Sequence, residues 1–162
     1  MSFKSTILVV KDVLQSRKLY ETILGCKVDG DFGIYNVGFE GGLSLYKKSL
    51  FEELTGNVKI LERAHNFVTY FEVGNIEEIE KNIEANGFEF LHKTREQPWG
   101  QREFRFYDYD NHLVEIAENM SNVFDRMNRE GKSVAEMAQK TGYTEEQVVE
   151  EIAKLVTSAG AD

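Results

Sequence analysis

Apolar and polar positions between Ser5 and Glu118 follow an order that occurs twice. Each copy opens with a strand-like apolar run, Ile7-Leu8-Val9-Val10 in the first and Phe67-Val68-Thr69-Tyr70-Phe71-Glu72-Val73 in the second. A helix start follows in each: Asp12 with Gln15, and Asn75 with Glu78, the spacing of a capped first turn. Ile76, Ile79 and Ile83 mark the buried face of the second helix, and Gly25 and Gly87 stop the two helices. Short strands separated by Gly, Asp or Asn complete each copy. They are Lys27 to Asp29, Ile34 to Phe39 and Leu43 to Lys47, then Phe88 to Lys93, Gln101 to Tyr107 and His112 to Ala117. The pattern predicts an α+β fold of two βαβββ repeats, residues 5–47 and 66–118. Neither repeat can bury its sheet alone, so two of them, from one chain or two, should close a curved mixed sheet around a cleft with helices outside.

Residues 48–64 read as a polar linker in which Phe51, Leu54, Val58 and Leu61 keep a loose helical spacing. Residues 119–162 read as a C-terminal helical appendage to a domain spanning 1–118. Val123, Phe124 and Met127 give its first helix an apolar face; Ser133 with Glu136 and Thr144 with Gln147 cap the second and third. The outline resembles a helix-turn-helix, but Glu145, Glu146, Glu150 and Glu151 on the would-be recognition helix oppose DNA phosphate. Packing or dimerisation is the expected role.

A length of 162 residues fits one domain with an appendage. The net charge of -9 disfavours nucleic acid and would concentrate a cationic ligand, or simply maintain solubility. No apolar run is long enough for a membrane span, and Met1-Ser2-Phe3-Lys4 lacks the apolar core of a secretory signal, so a cytoplasmic protein is expected. Cys26 is the single cysteine; it cannot form an internal disulfide and reads as a packed residue.

Candidate chemistry concentrates in Glu96-Gln97-Pro98-Trp99-Gly100-Gln101-Arg102-Glu103-Phe104, which holds the only Trp and the only Pro, and in Asp108-Tyr109-Asp110-Asn111-His112-Leu113-Val114-Glu115. The two form a hairpin that displays one large aromatic at a strand mouth. The segment resembles the vicinal-oxygen-chelate superfamily of glyoxalase I, extradiol dioxygenases, fosfomycin-resistance proteins and bleomycin-binding resistance proteins. Gln-Pro-Trp-Gly-x-Arg-Glu-Phe is most similar to the bleomycin-resistance branch. The Asp-x-Asp-Asn pattern running to Glu115 is superfamily-wide, and Tyr109 stands where that family often has Pro. The resemblance implies the two-repeat fold and a homodimer with clefts near or across the subunit boundary.

Superfamily enzymes take one metal ligand from the first strand and one from the last strand of each repeat, and the metal polarises vicinal substrate oxygens. By that resemblance the positions fall at Ser5, Ser44 or its neighbour, Val68 and Glu115. Only Glu115 matches, so no metal and no cofactor is expected. His112 and Glu115 are three apart on a predicted strand and point to opposite faces; His65 and His92 have no paired ligand at useful spacing. Glu115 is then either a buried group partnered by Arg102 or Arg105, or a ligand-facing acceptor.

Three functions follow. The first is a non-catalytic relative of the bleomycin-resistance type that holds a bulky, partly aromatic, cationic small molecule. Trp99 and Phe32 would be its stacking walls, Asp31 a counter-charge, and Arg102, Phe104 and Glu115 further contacts, with Trp99 and Phe32 as plain core aromatics the alternative. The second is a metal-dependent glyoxalase-like lyase or dioxygenase-related enzyme with Glu115 as ligand or base. The third is a regulatory module in which ligand binding moves the C-terminal helices.

Overall fold

Both repeats fold as βαβββ units in the computed structural model, which describes residues 1–158. The first comprises β1 (Thr6–Val10), α1 (Val13–Arg17), β2 (Val28–Asp31), β3 (Asn36–Phe39) and β4 (Leu43–Lys47). A short helix, α2 (Lys48–Leu54), occupies the start of the linker. The second repeat comprises β5 (Val68–Val73), α3 (Ile76–Ala85), β6 (Phe90–Glu96), β7 (Arg102–Tyr107) and β8 (Leu113–Glu118). Sheet orders β1-β4-β3-β2 and β5-β8-β7-β6 repeat one topology. In the first sheet β1 lies parallel to β4, and β4, β3 and β2 run antiparallel in turn.

The helix starts obey the capping chemistry of the sequence. Asp12 accepts from the Gln15 amide at 3.0 Å, and Asn75 accepts from the Glu78 amide at 3.1 Å. Beyond α1 the helix widens into a π-helical stretch, Lys18–Ile23, where the Leu24 amide reaches back to the Leu19 carbonyl at 3.0 Å.

The chain divides into two compact units that interleave in sequence. The first holds Met1–Thr69, Lys81–Leu91 and Phe106–Val114; the second holds Tyr70–Glu80, His92–Arg105 and the chain from Glu115 onward. In the first unit Leu8, Val10, Leu19, Tyr20, Val37, Phe39 and Leu45 are buried, with the Tyr20 ring 6.0 Å from that of Phe39. The Asp-x-Asp motif is a structural knot there. Asp108 accepts from the amides of Asp110 and His112 at 2.9 and 2.8 Å, from the Tyr20 hydroxyl at 2.9 Å and from His112 Nδ1 at 2.9 Å. Asp110 in turn accepts from the Lys11 amide at 2.9 Å. Asn111 completes the turn with φ of 65°.

Burial disfavours a charged His112, but hydrogen bonding to Asp108 and the charges of Asp108 and Asp110 outweigh it and lift the imidazole above its ordinary 6.5. A raised folded value means that the stabilisation is fully present below the ordinary value and is lost as pH rises through the folded one. Urea titrations across that window should show unfolding free energy declining with pH in the wild type and a weaker decline in His112→Gln. Equal slopes would remove the ring from this role.

In the second unit three helices follow β8: α4 (Met120–Arg129), α5 (Val134–Thr141) and α6 (Glu145–Ser158). Met120, Val123, Phe124, Met127, Met137 and Val148 make one buried cluster. Ser133 and Glu136 form a capping box, Thr144 and Gln147 exchange bonds of 2.9 and 3.2 Å, and Gly142 ends α5 at φ 78°.

Candidate functional site

Strand alternation on β7 divides its side chains between two faces. Arg102 and Phe104 share one face. Arg102 reaches Glu77 of α3 at 2.5 Å and Phe104 is fully buried, so this is the helix-covered side. Gln101, Glu103 and Arg105 share the other face, where a continuous polar constellation sits. Arg105 Nη2 lies 2.7 Å from Glu103, its Nε donates to Glu115 at 2.6 Å, and its Nη1 donates to His92 Nε2 at 3.0 Å. His92 Nδ1 then bonds the Lys93 carbonyl at 3.0 Å, which fixes the tautomer, because a guanidinium only donates. Gln97 donates to Glu103 at 2.8 Å.

Glu103 is 1% exposed. Burial first, and then the neighbouring Glu115 carboxylate, push its carboxyl above the usual range, while Arg105 pulls the other way. Tyr70 extends the constellation on β5: its hydroxyl accepts from Gln101 at 3.0 Å and donates to Glu72 at 2.8 Å. Partial burial, with the bond to Glu72, pushes the phenol up to about 12, so it stays a donor at neutral pH.

Trp99 stands beside this group on a tight turn. Pro98 presets the first central position, the Gly100 amide donates to the Gln97 carbonyl at 2.8 Å, and the Gln97 amide donates to the Gln101 carbonyl at 2.8 Å. Gly100 takes φ of 89°, which a glycine supplies without strain. The indole Nε1 donates to Gln101 Oε1 at 3.0 Å, and the residue keeps 41% of its surface exposed. Gln101 thereby links Trp99 to Tyr70 and, through the Glu118 carbonyl at 2.7 Å, to β8.

The residues singled out from sequence do not all converge. Glu115 is partnered by Arg105, whereas Arg102 pairs with Glu118 and Glu77 on the opposite face of β7. Phe104 is on that opposite face too. Asp31 and Phe32 belong to the first unit, where Asp31 accepts from Arg17 and from the Gly33 amide, both at 2.8 Å, and Phe32 is exposed. Gln97, Gln101 and Glu103 lie in the motif but are not among the ligand contacts expected from sequence, and neither are Tyr70 and His92. The polar residues at 101, 103 and 105 are the signal that points to Gln101 and Glu103, since a strand with two buried faces would not alternate so.

A model of the glyoxalase-like domain matches residues 3–121. The chain belongs to the glyoxalase-like family. Its solved neighbours place it in the glyoxalase, bleomycin-resistance and dioxygenase superfamily. A protein of unknown function from Agrobacterium tumefaciens str. C58 is 35% identical with a TM-score of 0.65, over 74% of this chain and 94% of that one. A glyoxalase/bleomycin resistance protein/dioxygenase from Nocardioides is 25% identical with a TM-score of 0.53, over 73% and 83%. A fosfomycin resistance protein from Listeria monocytogenes, 22% identical with a TM-score of 0.56 over 74% and 93%, shares the fold. No curated protein sequence matches the chain.

The family's metal chemistry can be tested against the donors this glyoxalase-like chain offers. The positions that the resemblance assigns carry Ser5, Ser44, Val68 and Glu115, and Glu115 is engaged by a guanidinium. Among the described residues no group of three or more His, Cys, Asp or Glu could hold a metal ion. Neutral hydroxyls and a valine do not make the donor set of a divalent ion, so the residues present do not fit one. Among the described residues no helix is long and apolar enough to cross a membrane.

Proposed function

We propose that this glyoxalase-like chain binds a bulky, partly aromatic, cationic small molecule on the polar face of its second sheet, beside Trp99. Trp99 is the stacking wall, Glu103 and Glu115 are the counter-charge, and Tyr70 and Gln101 are the orienting polar groups. The observation that carries the reading is the placing of two carboxyl groups against a single guanidinium, beside an indole that is 41% exposed. When both carboxyls are ionised the group carries one surplus negative charge, in a partly desolvated setting where a cation gains most. An indole face adds about 2 kcal/mol of cation-π attraction when the pair is desolvated. Sequestration of this kind needs affinity and no turnover. The reading includes a cytoplasmic homodimer with no nucleic-acid or membrane partner.

A second reading, favoured by the raised Glu103 carboxyl, is an enzyme in which Glu103 passes a proton to or from the bound molecule. Turnover that survives chelation and disappears in Glu103→Gln would select it.

Under the binding reading a bound cation favours ionised Glu103, so binding expels a proton. Affinity for N-methylacridinium should therefore rise as pH rises through the raised value of Glu103 and level off beyond it. Calorimetry across that window tests this, with a flat profile expected in Glu103→Gln. A flat wild-type profile would take Glu103 out of the site.

A further inference from the structure

We propose that Arg126, in the helical segment beyond the family match, is the positioning residue of the Trp99 turn, so that the extension sets the affinity of the site. The ligand half of this inference rests on the binding reading above; the turn half stands without it.

The turn from Gln97 to Gln101 closes with only two backbone bonds of its own. The extension holds it at both ends. Arg126 Nη2 donates to the Gly100 carbonyl at 2.6 Å, next to Trp99, and Nη1 reaches Glu96 at 3.3 Å. Lys140 of α5 donates to the other oxygen of Glu96 at 2.7 Å. The Gly100 backbone packs against side chains of the extension, where a Cβ would lie 2.1 Å from Met127 Cε. Arg126 is itself aimed by Glu118, which accepts from Nη2 at 3.1 Å and is 3% exposed, and by Glu130 at 3.7 Å. One planar guanidinium meets a carbonyl and three carboxylates here, which a lysine ammonium cannot do.

The Agrobacterium relative is covered over 94% of its length by 74% of this chain, and the family match stops at residue 121. The clamp is thus additional to the shared domain. A groove of about 470 Å³ runs beside it, lined by Arg102, Glu118, Asn122, Asp125, Arg126, Arg129 and Glu130. Arg102, Arg126 and Arg129 are each paired with a carboxylate there, so the groove is the outer side of the clamp. A turn held in its binding geometry loses less entropy when ligand arrives, which is how a residue remote from the ligand raises affinity.

Trp99 is the only tryptophan, so acrylamide quenching of its fluorescence reports on this turn alone. Full-length Arg126→Met keeps the aliphatic stem and removes the donors. Arg126→Gln removes the guanidinium and keeps a shorter polar end, and decides the matter if Arg126→Met does not fold. Arg129→Met, on the same helix and paired with Asp125, is the control. Both test variants should show a quenching constant raised about twofold and N-methylacridinium affinity weakened about tenfold, with unchanged circular dichroism. Arg129→Met should match the wild type and Arg126→Lys should recover part of the loss. Wild-type quenching in a folded Arg126→Met or Arg126→Gln would overturn the positioning role. Raised quenching with unchanged affinity would overturn the link to the site. If the wild type itself binds no N-methylacridinium, the binding reading fails, and quenching alone decides the turn half.

Discussion

Glu118→Gln should lower the free energy of unfolding by about 3 kcal/mol, the largest stability loss expected from a single polar substitution in the second unit. Glu118 is buried at the end of β8 and accepts from Arg102 at 3.2 and 2.8 Å and from Arg126 at 3.1 Å. Gln has the same shape but presents an amide N–H and no charge, so two half-buried guanidiniums lose the carboxylate between them. Removing one member of such a group costs more than the group is worth, because the remaining charges stay desolvated. Burial pushes the Glu118 carboxyl up, but Arg102 and Arg126 outweigh it and hold the group below its ordinary 4.5. Its contribution is therefore present above the ordinary value and is lost as pH falls through the folded one. Denaturant titrations should show this acid limb in the wild type and a shallower one in Glu118→Gln. A loss under about 0.5 kcal/mol, the usual scatter for surface sites, would show that solvent already screens the network.

Trp99→Ala should weaken binding of N-methylacridinium about thirtyfold, the equivalent of roughly 2 kcal/mol of stacking and cation-π attraction. Stability should change little, because the indole is substantially exposed and its one polar bond is to Gln101. Trp99→Phe keeps an aromatic face and should recover most of the affinity, whereas loss of the Gln101 bond should cost less than loss of the ring. Calorimetric titration of the three proteins separates these terms. Equal affinity in wild type and Trp99→Ala would mean that the ring is a surface aromatic and nothing more.

The fold was largely legible because each of its levels points the same way. The caps at Asp12, Asn75, Ser133 and Thr144 all form, and the predicted strands differ from the observed ones only at their ends. The π-helical stretch at Lys18–Ile23 left no trace in the spacing, since a widened turn still presents apolar residues about where an α-helix would.

The site was legible in part. The Trp-Gly turn stands out because its composition is unusual, whereas the motif's Arg102 and Phe104 lie on the face of β7 opposite to Arg105 and Glu115. Arg102 and Phe104 draw attention by lying within the motif, yet the residues that meet Arg105 and Glu115 are its alternate members, Glu103 and Gln101. Sequence alone leaves Arg102 and Arg105 equal as partners of Glu115, and the structure gives Arg105. The Asp-x-Asp motif looked chemical and proved architectural: Asp108 is consumed by four donors within the first unit. The clamp by Arg126 was invisible because residues 100 and 126 meet only through tertiary packing, and no local pattern encodes that.

Calorimetric titration of the wild-type chain with N-methylacridinium and its neutral parent acridine at mildly alkaline pH separates charge from aromatic area at the Trp99 site. The two share size and aromatic face and differ in charge. Binding of the cation at least about tenfold tighter than the neutral molecule, with both weakened in Trp99→Ala, is the expected result. Equal affinities, or no binding of either, would contradict a site built from an indole wall and the carboxyl pair of Glu103 and Glu115.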